Sequence, residues 1–231
     1  MRTLYLIRHG QASYGTTDYD RLSPLGAEQS RLTGEWFRRC GIDIRHAVAG
    51  GLKRHVQTAE AFFTGYADAA TPGPLIHRDP DFDEVDQVDM MNPATGEEGG
   101  PLKNGTANMT FEEFRQNLTP AYFRWTSGRF DHQYKLPFPK FSASCSGAID
   151  RAIRLAQSGE TVAAFTSGGT IAMICRLVMP LGDEATSDMM WVISNTSVTR
   201  LEWKNGKFAL TLFNSLAHLE QAADPALITL T

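Results

Sequence analysis

The sequence predicts an α/β protein: a three-layer sandwich with a mainly parallel central sheet, helices on both faces, and an inserted lid-like region. Three observations carry this expectation. Short apolar runs, at Leu4-Tyr5-Leu6-Ile7, His46-Ala47-Val48-Ala49 and Thr161 to Phe165, have the length and composition of buried strands. Stretches with helical spacing of apolar residues separate them. Each run ends in a turn rich in small residues: Arg8-His9-Gly10, Gly50-Gly51 and Ser167-Gly168-Gly169. In open parallel sheets ligands bind beyond the carboxyl ends of the strands. These three turns are therefore where a site would be built.

Thr3 to Ile7 reads as the first strand, bounded by Gly10. Ser23-Pro24 then opens a helix, with serine as N-cap and proline at the first helical position. Leu32, Trp36 and Phe37 give that helix its apolar face, and Gly41 is a fitting stop. After the second strand, Leu52, Val56, Ala59 and Phe63 recur at near-helical spacing, and Pro74 to His77 is a candidate third strand. From about residue 85 to 140 the character changes. Met90 to Asn108 is rich in Gly, Pro, Asn and acids and reads as an excursion or flap. Thr110-Phe111-Glu112-Glu113 matches a capping box and opens a helix carrying Phe114, Leu118 and Tyr122. The aromatic group Phe111, Phe114, Tyr122, Phe123, Trp125 and Phe130 reads as core. Ile149, Ala152, Ile153 and Ala156 mark another amphipathic helix, ending near Gly159. A further helix follows Ser167-Gly168-Gly169 and ends near Pro180. Val198 to Trp203 and Phe208 to Phe213 flank Asn205-Gly206, a strong hairpin signal. Residues 1–231 read as one domain with the excursion inserted at about 85–140.

Composition narrows the function. The 231 residues carry a net charge of −4, so there is no basic footprint for nucleic acid. An anionic substrate would need locally placed cations. Thr170 to Leu181, the most apolar long segment, is too short to span a bilayer and contains Arg176. The sequence enters a strand with no secretory signal pattern. Cys40, Cys145 and Cys175 are spaced for neither a disulfide framework nor a zinc site. His46, His77 and His132 lack metal-ligand spacing. The expectation is a cytoplasmic protein with no cofactor, no metal, no nucleic-acid partner and no membrane association.

The turn after the first strand carries the chemistry. An imidazole can act as a nucleophile, and phosphorus is a natural electrophile for it. Arginine binds two phosphate oxygens at once through its planar fork. Arg54 stands early in the helix after the second strand, where helix amides add a further anion site. A sheet that brings Arg8, Arg54 and that helix start together could hold a phosphoryl group while His9 attacks it.

Leu6-Ile7-Arg8-His9-Gly10, then Leu52-x-Arg54-x-x-Gln57-Thr58-Ala59, then Asp83-Glu84, then Phe165-Thr166-Ser167-Gly168-Gly169, occur in an order that resembles the histidine phosphatase (phosphoglycerate mutase-like) superfamily over nearly the whole chain. The resemblance implies an α/β sandwich and a phosphohistidine intermediate. It makes His9 the nucleophile, Arg8 and Arg54 the phosphoryl ligands, and Glu84 the general acid, with Asp83 and Asp86 as neighbouring alternatives. It also places Ser167 and Gly168 in the phosphate pocket. At Ser167 the sequence departs from the family, which usually has a second histidine there; a hydroxyl donates one hydrogen bond and brings no positive charge. His218, after the last strand, is the best sequence candidate for a substitute. His55 reads as a surface residue beside Arg54. The expected activity is a phosphomonoesterase acting on a small phosphorylated substrate, slowed by Ser167. The alternatives are a phosphomutase using the same intermediate, or a non-catalytic phospho-ligand- or protein-binding relative.

Overall fold

The computed structural model describes residues 1–13, 20–67, 73–91 and 110–230. In chain order the elements are β1 (Arg2–Arg8), α1 (Pro24–Arg39), β2 (Ile44–Ala49), α2 (Lys53–Tyr66), β3 (Ile76–Arg78), α3 (Gln87–Met91), α4 (Phe111–Thr126), α5 (Phe138–Leu155), β4 (Thr161–Thr166), α6 (Gly168–Val178), α7 (Asp183–Val192), β5 (Val198–Lys204), β6 (Lys207–Ser215) and α8 (Ala217–Glu220). The strands form one sheet in the order β3-β2-β4-β1-β5-β6. The pairings β2–β3, β2–β4 and β1–β4 are parallel, while β1–β5 and β5–β6 are antiparallel. The expected α/β architecture is therefore present, with a mixed and mostly parallel sheet.

Alternation along the strands divides the core into two layers. From β1, Tyr5 and Ile7 join Phe37 of α1 and Val56, Ala59 and Phe62 of α2 on one face. Leu4 and Leu6 face the other way, against Ala148, Ile149 and Ile153 of α5 and Ile171 and Ile174 of α6. Both faces of β1 are thus covered, which is why its sequence is continuously apolar instead of alternating.

The local signals behave as their chemistry requires. Ser23 caps α1 by accepting from the Gly26 amide, and Pro24 occupies the first helical position. The Thr110–Glu113 capping box forms on both sides. Asn205 and Gly206 both take positive φ, 53° and 80°, as a tight two-residue hairpin demands. α5 begins at Phe138, earlier than its apolar spacing indicated, because Phe141, Cys145 and Ala148 extend the buried stripe through a serine-rich stretch. α3, α7 and α8 were not legible as elements. Met90, Met91, Leu118, Tyr122 and Trp125 are buried in the layer shared with α5 and α6, whereas Phe123 is exposed. Residues 92–109, most of the expected flap, lie outside the described residues. Among the described residues no helix is long and apolar enough to cross a membrane.

Candidate active site

The parallel register brings the three turns together. Arg8 pairs with Thr166 at the ends of β1 and β4. The His9 amide donates to the Thr166 carbonyl at 2.8 Å, and the Gly50 amide donates to the Phe165 carbonyl at 3.1 Å. The Gln57-Thr58 part of the second motif locks this junction from α2. Thr58 Oγ1 accepts from the Gly10 amide at 3.0 Å, and Gln57 Oε1 accepts from the Leu22 amide at 2.9 Å.

His9 is buried, with its Nδ1 2.8 Å from the Gly10 carbonyl oxygen. A carbonyl only accepts, so Nδ1 carries the hydrogen and Nε2 keeps its lone pair. Burial, then the positive charges of Arg54 and Arg8, then His55, hold the imidazole well below its usual pKa, against the pull of the Gly10 carbonyl. The ring is neutral at physiological pH, as attack on phosphorus requires.

Two guanidiniums flank it. Arg8 donates to the Ile193 carbonyl, and its side chain runs beside Gly168. Arg54, in the first turn of α2, donates to Asp20 Oδ1 at 2.8 Å. Asp20 Oδ2 also accepts from the Lys53 amide at 2.9 Å. A carboxylate thus sits over the helix start and the arginine that the sequence assigns to an anion, as the amide dipoles there favour.

The two adjacent acids have different surroundings. Glu84 Oε2 accepts from the Gly169 amide at 3.1 Å, at the start of α6. A Cβ on Gly169 would lie 2.4 Å from Glu84 Oε1, so only glycine admits the carboxyl here. Burial raises the Glu84 pKa, opposed by the Gly169 amide, Arg54, the Val85 amide and Arg8. Asp83 instead accepts from the Leu52 amide at 3.1 Å, and its Oδ1 lies 3.4 Å from His55 Nδ1. Asp86 turns away, capping the Asp89 amide at 3.0 Å.

His55 corrects the sequence expectation. It is fully buried, with its ring centroid 5.8 Å from that of His9 and its Nε2 2.7 Å from Ser167 Oγ. Helical spacing alone marks 55 as off the Arg54 face, but Ser167, Asp83 and the His9 ring stand against that side of α2, and His55 is shut from solvent. Gly50 makes the room: a Cβ there would stand 2.2 Å from His55 Nδ1 and 2.6 Å from Asp83 Oδ1. Two glycines ahead of a histidine-bearing helix were the available signal.

His218 is buried elsewhere. Its Nε2 is 3.1 Å from Thr196 Oγ1 and its ring lies 6.4 Å from Trp36. Thr196 in turn donates its amide to the His9 carbonyl at 3.3 Å, so His218 meets the His9 backbone through an intermediary. Burial pushes its pKa down to about 3. The unfolded chain binds this proton near pH 6.5 and the folded chain only near 3, so stability falls as pH drops through that window. His218→Gln should lose less stability between about pH 6 and 4 than the wild type, measured by urea unfolding, while keeping kcat/KM within about threefold. A severe loss of turnover would make His218 the missing pocket group.

A neutral imidazole at a strand end, two arginines beside it and a carboxyl biased toward its protonated form make up equipment for phosphoryl transfer. Residues 4–99 and 103–216 match the model of the histidine phosphatase superfamily (branch 1), and the chain belongs to that superfamily. The serine/threonine-protein phosphatase PGAM5, mitochondrial, of Xenopus tropicalis is 43% identical over 61 residues, which cover 26% of this chain and 22% of that protein. A mutant phosphoserine phosphatase from Entamoeba histolytica, in complex with phosphoserine, superposes with a TM-score of 0.62 at 21% identity, covering 95% of this chain and all of that one. A phosphoglycerate mutase from Bacillus anthracis superposes with a TM-score of 0.63 at 16% identity, covering 96% of each chain.

Proposed function

We propose that the protein is a phosphomonoesterase that hydrolyses a small phosphate ester through a phosphohistidine on His9. The observation that carries this reading is the state of His9: neutral, with Nε2 bearing the lone pair, beside Arg8 and Arg54. Nε2 attacks phosphorus, the ester P–O bond breaks, and the Glu84 proton goes to the leaving oxygen. Water then attacks the phosphorus of phosphohistidine, Glu84 takes its proton, and His9 leaves with its lone pair restored. Arg8, Arg54, the Ser167 hydroxyl and the Gly168 amide hold the phosphoryl oxygens. The phosphoserine held by a structural neighbour supports a small phosphorylated ligand. We read the segment at about 85–140 as the insertion that selects the leaving group within a single domain. Free Cys40, Cys145 and Cys175 fit a reducing compartment such as the cytoplasm.

Arg54→Ala tests the pocket. It removes charge-assisted hydrogen bonds worth about 1.5–3 kcal/mol, so inhibition by inorganic phosphate should weaken about 10–100-fold. Arg54→Lys should recover only part of this, since an ammonium cannot bind two oxygens in a fork. Unchanged phosphate inhibition in Arg54→Ala would place the anion site elsewhere. Binding of phosphate without turnover by the wild type would favour a non-catalytic phospho-ligand module.

A further inference from the structure

We propose that Asp83, His55 and Ser167 form a proton-gated switch in the phosphate pocket: a phosphoryl dianion recruits a proton to His55, and the charged imidazole turns the Ser167 hydroxyl outward as a donor to that dianion. The proposal rests on reading the His9 pocket as the phosphoryl site.

One hydrogen occupies the 2.7 Å contact between His55 Nε2 and Ser167 Oγ. In neutral His55, with Nδ1–H toward Asp83 Oδ1 at 3.4 Å, that hydrogen is the serine's own. The hydroxyl then has only lone pairs to offer the pocket, and lone pairs repel a phosphoryl oxygen. When His55 gains a proton, Nε2–H donates to Oγ and the hydroxyl hydrogen is released for the substrate. The imidazolium also draws Asp83 closer than its present separation, which is long for a hydrogen bond. One proton is taken up with the dianion and returned when phosphate leaves.

Three observations support the arrangement. Ser167 is the N-cap of α6 and yet caps no amide with its side chain, although serine favours that bond. Its hydroxyl is committed to His55 instead. Gly50 leaves room for both His55 Nδ1 and Asp83 Oδ1 where any side chain would collide. The His55 ring lies alongside the His9 ring, close enough for charge at one to be felt at the other. The groups facing His55 are Asp83 from the segment after β3, Asp20 from the segment before α1, Arg54 on α2 and His9 after β1. Burial and Arg54 disfavour its charge and Asp83 and Asp20 favour it, so the resting ring is neutral and an arriving dianion tips the balance. His55 is a positioning residue, since it acts through Ser167.

The test uses the wild-type protein and sulfate, which stays a dianion across the relevant pH range. Ring ¹⁵N NMR at about pH 6.5 distinguishes neutral imidazole from imidazolium for each histidine. Sulfate should convert the His55 signals, assigned by comparison with His55→Gln or by through-bond correlation in the wild type, toward the imidazolium pattern. Sulfate affinity should tighten as pH falls toward about 5.5. At that pH Ser167→Ala should bind about tenfold more weakly than wild type. His55→Gln keeps an N–H toward Ser167 with no proton to gain, so it should retain sulfate affinity with a flatter pH dependence. Bound sulfate with His55 still neutral, or unchanged affinity in Ser167→Ala at low pH, overturns the switch alone. Sulfate that fails to bind overturns the pocket as well.

Discussion

His9→Ala is expected to reduce phosphatase turnover to background, a loss of at least about a thousandfold, while leaving the protein folded. Removal of a covalent nucleophile leaves only the catalysis that binding and electrostatics supply. The His9 backbone, not its side chain, ties β1 to its neighbours: its amide bonds the Thr166 carbonyl, and its carbonyl accepts from the Thr196 amide and from Asn195 Nδ2. Alanine preserves all three bonds, so the fold should persist. The wild type, quenched during turnover, should carry acid-labile, base-stable phosphate that the variant lacks. Turnover near wild-type level in His9→Ala would end the covalent mechanism.

Glu84→Gln should have the next largest effect, and its size should depend on the leaving group. General acid catalysis contributes about 10²–10⁴-fold. An alkyl phosphate, whose alkoxide leaves poorly, should lose nearly all of that. An aryl phosphate with an acidic phenol should lose less than about tenfold. The amide remains able to accept from Gly169, so the start of α6 should be undisturbed. The pH profile gives a second check. The proposed acid role needs Glu84 protonated, and its pKa is raised, so wild-type kcat/KM toward the alkyl ester should fall as pH climbs through that raised value. The limb should be absent in Glu84→Gln. Equal losses on both esters would assign the proton to another group.

Legibility of this site in the sequence followed the physics of each residue. Strand ends were readable because a buried parallel strand is continuously apolar and its terminus abrupt. Arg8, His9 and Arg54 were readable because they lie on such termini or in the first turn beyond one. Asp83 and Glu84 were readable as a pair, with Glu84 singled out as the acid by the resemblance, but their partners, the Gly169 amide for Glu84 and the His55 ring for Asp83, were not, because those contacts are made across the fold. His55 was misread for a similar reason. Periodicity says which way a side chain points from its own helix, and it cannot say that Asp83, Ser167 and His9 close over that direction. Asp20 was missed because its partners, the Lys53 amide and Arg54, stand 33 and 34 residues away.

The placement of β1 has a consequence for how the chain acquires its site during synthesis. β1 lies between β4 and β5, so it gains its strand partners only once residues 161–204 exist. On the ribosome, β1 must wait through α1, β2, α2 and the whole 85–140 segment before either edge can pair. Contacts this distant in sequence carry a large loop-closure cost and slow folding. Until then β1 presents two open edges, a state exposed to misassociation. The α1–α2 layer can form first and shield one face. His9 is translated before every strand that β1 pairs with, and its place in the sheet is set only after them.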